Sequence, residues 1–111
     1  ATLIKAATAS ITAAEVAASV TGLPSPSHVA VQVAGTFTAT ITFEATVDGA
    51  TWAAIEMLPS TDLSDTGLTA TATSAGLFVS KVPLAVSGVR ARVSTFTNNT
   101  SGVITLRVSS F

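Results

Sequence analysis

The sequence predicts an all-β domain, an antiparallel β-sandwich or jelly-roll-like fold, and three features lead there. Residues 36 to 48, TFTATITFEATVD, alternate between polar and apolar side chains without a break. Other segments alternate in the same way, and Gly, Pro, Asp or Asn marks the spaces between them. Threonine fills most polar positions, and its β-branched side chain suits a pleated surface.

In the longest segment Phe37, Ala39, Ile41, Phe43, Ala45 and Val47 fall on one face, and Thr38, Thr40, Thr42, Glu44 and Thr46 on the other. A period of two places the first set on a core and the second toward solvent or a partner. Asp48-Gly49 then signals a hairpin turn, because both residues tolerate positive φ. The return strand is expected over Thr51 to Leu58, with Trp52 near its start. Upstream, His28 to Ala34 turns Val29, Val31 and Val33 inward. Downstream, Gly76 to Val82 reads as a strand ended by Pro83, which cannot donate to a ladder. Val89 to Thr97 places Val89, Ala91 and Val93 on one face and Arg90, Arg92 and Ser94 on the other. The polar run Asn98 to Gly102 is expected to close a second hairpin onto Val103 to Ser109, with Ile104, Leu106 and Val108 inward.

Thr2 to Ala7 reads as a first strand. Ile11 to Val20 has alanines and a central Glu15 that suit a helix, but an all-β setting favours a second short strand. Leu23 to Ser27 contains two X-Pro steps and is an extended connector. Pro59 to Ser74 is the longest expected loop. One domain is expected over 1–111, with 1–27 as an N-terminal strand or arm plus connector and 28–111 as the core sandwich.

Composition narrows the function. The chain has 111 residues, 48% hydrophobic and 10% charged, with a formal net charge of −1. Mean hydropathy is +0.63. Disorder is excluded, because it requires low hydrophobicity and high charge. A nucleic-acid partner is not expected without a basic surface. Nor is a membrane partner, since apolar runs reach only about four residues against the ~18 of a spanning helix. No secretory leader is visible after Lys5. There is no cysteine, which removes disulfides and thiol chemistry. Charge this sparse leaves a lone monomer poorly protected from association, so part of the exterior is expected to be covered by another copy or another protein.

Few residues offer chemistry. His28 is the one histidine, with no nucleophile elbow near it, so no enzyme is expected. Glu44 and Glu56 would approach each other across the first hairpin, either as a carboxylate pair or as solvated acids guarding an edge. Asp62, Ser64 and Asp65 lack the spacing of a calcium loop, so neither a metal nor another cofactor is expected. Arg90 and Arg92 share a strand face, and the second hairpin would set Arg107 opposite them as a cross-strand cationic patch. Such a patch needs acidic company, from Glu44, Glu56 or a neighbouring chain, and is the expected interface. Trp52 either covers the core edge or offers a sugar-stacking platform. A buried ring favours the first reading and an exposed ring beside polar groups the second.

The order of these segments resembles a β-sandwich module of tailed-bacteriophage virion proteins. The matching positions are Phe43 and Glu44, then Asp48, Gly49, Thr51 and Trp52, then Gly76, Leu77 and Phe78, and finally Val89, Arg90, Arg92 and Val93. Relatives often carry tyrosine where this chain has Phe78, and the 60–75 segment is unusually rich in threonine. The resemblance spans about residues 28–110 and concerns packing, not an active site. It implies a capsid decoration (cement) protein, a head fibre, or a tail or baseplate component, and a chain of this length fits decoration best. It further implies residence on the virion, at the capsid exterior, after synthesis in the host cytoplasm. The implied partners are the major capsid protein or another virion protein, and further copies of the chain as a trimer or dimer. The alternative is a tail or fibre module that binds a glycan or other host-surface ligand through Trp52.

Overall fold

The longest alternating segment anchors the molecule in the computed structural model, which describes residues 3–24 and 26–110. It forms β4 (Phe37–Thr46), lying between β9 (Gly88–Asn99), whose ladder with it shifts register twice, and the short β5 (Ala53–Ala54). The remaining strands are β1 (Leu3–Ser10), β2 (Ala17–Thr21), β3 (Ser27–Ala34), β6 (Leu58–Pro59), β7 (Thr71–Ala72), β8 (Gly76–Val79) and β10 (Val103–Ser110). One 3₁₀ turn spans Asp65–Gly67. Thr2 and Ser25, assigned above to the first strand and the connector, lie outside the described residues.

Two antiparallel sheets result. One has the order β1-β10-β3-β8-β6, the other β2-β9-β4-β5, with β7 also paired to β4. Every connection between successive strands crosses from one sheet to the other, except β4 to β5. This is the strand order of a jelly roll. The predicted all-β sandwich is therefore correct, and its topology is now specified.

The core lies between the sheets. Ile41, Phe43, Val31, Val33, Val93 and Leu106 are all at most 1% exposed, and Phe37 packs against them half-buried. Phe43 tilts against Phe78 of the opposite sheet, with ring centroids 5.1 Å apart. Ile11 is fully buried, although it precedes β2.

Four sequence expectations need correction. Val47, assigned to the core, is 76% exposed. The ladder ends at Thr46, paired with Gly88, and the turn begins one residue early. Asp48 accepts hydrogen bonds from Thr46 Oγ1 and from the backbone N–H groups of Ala50 and Thr51. Gly49 sits at φ +81°, where its freedom is required. The return strand beyond this turn shrinks to Ala53–Ala54, because the chain then leaves for the other sheet as β6. The expected strand from Ile11 starts only at Ala17. Glu15, at φ +74°, turns the chain, and its backbone N–H donates to the Val93 carbonyl.

The last correction matters most for function. Asn98 to Gly102 does not close a hairpin, since β9 pairs with β2 and β4, and β10 pairs with β1 and β3. Asn98 and Asn99 still pair with Thr38 and Phe37 at the end of β9, and the arch between the sheets, which pack roughly 10 Å apart, is Thr100 to Gly102. It is tied down by Thr100 and Ser101 N–H groups donating to the Thr36 carbonyl, and by Gly102 N–H donating to Asn99 Oδ1. Gly35, at φ +92°, lies so close to the Ser101 carbonyl that a Cβ there would meet its oxygen at 2.1 Å.

Candidate functional site

Ladder register brings the chemistry together on the outer face of the β2-β9-β4 sheet. Glu44 stands directly opposite Arg90, and Thr42 opposite Arg92. Glu44 Oε1 accepts from Arg90 Nε at 2.7 Å and from Arg92 Nε at 2.9 Å, while Arg92 Nη2 reaches Oε2 at 3.2 Å. Arg92 Nη1 also donates to Glu15 Oε1 at 3.0 Å. Two carboxylates thus balance two guanidiniums. Glu44, predicted to face outward, does so, yet it is only 7% exposed because the arginines cover it. Thr42 Oγ1 donates to Ser94 Oγ beside them.

Trp52 completes the cluster. Its ring lies under the Arg90 guanidinium, whose carbon is 4.4 Å from the ring centroid. The indole is half-buried, so it meets neither extreme of the exposure criterion. One ring face is occupied by a cation that Glu44 holds in place.

The arginine hydrogen bonds, Arg92 first, together with the nearby positive charges hold the Glu44 carboxyl below its ordinary range against the opposing effect of burial. A carboxyl so held is an ionised partner near neutral pH and not a proton donor. Asp48 is also held well below the usual carboxylate range, by backbone hydrogen bonds from Thr51 and Ala50. Both shifts are depressions, so each group stabilises the fold fully above its unfolded value. That contribution is lost as pH falls through the lower folded value. The expected result is a thermal midpoint that declines on acidification below the ordinary values of 4.5 for Glu44 and 3.8 for Asp48. Scanning calorimetry of wild type and Glu44→Gln across that range checks it: the variant should lose the Glu44 share of the decline.

The expected three-arginine patch does not exist. Arg107 lies on β10 in the other sheet, between Ala6 of β1 and Ala30 of β3. Two shallow grooves of about 230 and 170 Å³ border it, the first also lined by His28, Ser80 and Ser109. Glu56 is exposed and takes no part in the ion-pair network. Asp62 accepts from Ser64 N–H and Oγ as a local turn. No group of three or more His, Cys, Asp or Glu residues suited to a metal occurs among the described residues. No helix among them is long and apolar enough to cross a membrane. Glu15 was missed as a partner of Arg92, and nothing local in the sequence marks it, because the contact depends on a positive-φ turn 77 residues away.

The molecule is thus a jelly-roll sandwich with a charge-balanced cluster on one sheet and a nearly uncharged face on the other. No protein-family model matches the chain, and no curated protein matches its sequence. Among solved structures, the SPBc2 prophage-derived protein YomS is similar in fold, with a TM-score of 0.63 at 14% identity. The likeness covers 95% of this chain and 94% of that one, so the two share one architecture from end to end.

Proposed function

We propose that this chain is a non-enzymatic phage virion protein, a capsid decoration (cement) protein that binds and stabilises the assembled shell in many copies. The end-to-end fold likeness to a prophage-encoded protein supports the phage origin. Jelly rolls serve both as capsid and as lectin domains, so the choice of role rests on the surface.

The observation that carries it is the outer face of the β1-β10-β3-β8 sheet. Two cross-strand rows define that face: Ala6, Arg107, Ala30 and Val79, then Thr8, Thr105, Gln32 and Leu77. One cation stands in eight positions, and Leu77 is 39% exposed. Nearly uncharged and composed mostly of short side chains, this face suits burial against a protein lattice. Each copy that binds only the assembled shell stabilises it by mass action, with no chemistry required.

Arg107 is the cation to test. It has no ion pair among the described residues, whereas Arg90 and Arg92 are committed to Glu44. Labelled protein should bind shells that lack it, saturate at many copies per shell, and raise the temperature at which they rupture. Arg107→Glu should weaken that binding by about tenfold or more, as loss of a charged interface contact does, while leaving the unfolding midpoint in place. Binding to a glycan array that Trp52→Ala abolishes, with no binding to shells, would favour the alternative of a tail or fibre module. The half-exposed Trp52 beside polar groups is what keeps that reading open.

A further inference from the structure

The edge of the sandwich carries a second surface. β1 borders one sheet and, among the described residues, pairs only with β10, so its other side presents backbone groups unpaired by any of them over eight residues. Long free edges are normally guarded by charge, proline or a bulge. Here the guards sit at one end. The ladder shifts between Leu3 and Lys5, and Lys5 Nζ reaches back to the Thr21 carbonyl at the margin of β2. From Ala6 to Ser10 there is no charge, no proline and no bulge. The other margins differ: β5, β6 and β7 are two residues each, β6 includes Pro59, and β2 is five residues with its Thr21 carbonyl capped.

We infer that β1 pairs antiparallel with β1 of a second copy across a two-fold axis at Thr8, extending the β1-β10-β3-β8 sheet into its partner. The register follows from face and charge. A side chain must meet one of the same face, or the core row containing Ala7 and Ala9 would turn outward. Centring on Lys5 would oppose two like charges. Centring on Thr8 uses the unguarded stretch alone: Thr8 meets Thr8, Ala7 meets Ala9, and Ala6 meets Ser10. Threonine pairs of this kind are favourable across strands.

The single charge of β1 selects the antiparallel arrangement, and the composition of the open stretch selects a second copy as the occupant. Lys5 lies at one end of this margin. Antiparallel apposition centred on Thr8 carries the two Lys5 residues to opposite ends of the shared ladder, whereas parallel apposition would set them side by side. The stretch from Ala6 to Ser10 is uncharged and matched to itself in this register, so it calls for no oppositely charged partner.

The chain contains no cysteine, which makes the test direct. Under mild oxidation of purified protein, Thr8→Cys should form a covalent dimer at least about tenfold faster than Ala6→Cys. In this register the two Ala6 positions are offset by four residues, about 13 Å along the strand, which is beyond the reach of a disulfide. Thr8→Lys, checked for an unchanged unfolding midpoint, should be monomeric by sedimentation where wild type is dimeric. Equal cross-linking of the two cysteine variants, or a wild-type monomer at high concentration, would overturn the inference. Because no shell is present, either failure leaves the decoration reading to its own test.

Discussion

Phe43→Ala should lower the free energy of unfolding by about 3–5 kcal/mol, the usual cost of emptying a large aromatic site in a packed interior. Phe43 is fully buried and tilts against Phe78, so the deletion removes an aromatic contact between the two sheets. The cavity would be bounded by strands on both sides, and a ladder cannot collapse into it without breaking hydrogen bonds. Small domains are stable by only about 5–15 kcal/mol in total, so the variant should unfold at much lower urea concentration. Val47→Ala is the control from the same strand run. Its side chain is 76% exposed, and its cost should stay within about 0.5 kcal/mol. Equal costs at both positions would mean that the inward phase of β4 is misassigned.

Glu44→Gln should rank next, at about 1–3 kcal/mol, because it leaves two partly covered guanidiniums without their shared carboxylate. Glutamine keeps the shape but supplies a single neutral acceptor. Arg90 and Arg92 would then repel each other on one face of β9. Removing the other acid in the network tests the geometry more sharply. Glu15 is 72% exposed and, among the described residues, pairs with Arg92, so a double-mutant cycle for that pair should give about 0.2–1 kcal/mol. The Glu44–Arg92 cycle should exceed it clearly. Near-equal couplings would contradict the cluster as described. Tryptophan fluorescence offers a second readout, since Arg90 lies over Trp52 and is fixed by Glu44.

Face assignment was legible in the sequence and sheet assignment was not. Alternation places Val31, Phe43, Val93 and Leu106 inward, and all four are inward. It says nothing about which of two sheets a strand joins. A polar run such as Asn98 to Gly102 reads the same whether it folds one strand back beside its neighbour or arches across the core. The misreading of that run moved Arg107 into a patch with Arg90 and Arg92, when register places it with Ala6 and Ala30. The pairing of Glu44 with the two arginines was within reach, since outward phase and opposite charge mark all three. Glu15 was not, because its position is set by a turn conformation that its residue type disfavours.

The same distinction separates the two surfaces. Intramolecular partners already satisfy the charged cluster on the β2-β9-β4 sheet, and they leave little to attract an anionic ligand. The opposite sheet presents Ala, Thr, Gln and Leu rows around Arg107, and its β1 margin is open over the Ala6 to Ser10 stretch. Lateral pairing at that margin would double the area of the low-charge face without altering it.

Cryo-electron microscopy of the native particle that carries this chain tests the central proposal most directly. The expected result is the sandwich in repeated copies on the outer surface of the shell, with the Arg107 face turned toward capsid subunits. Density for it only at the tail or fibre tips, or a complete shell with no copy bound, would contradict the decoration reading.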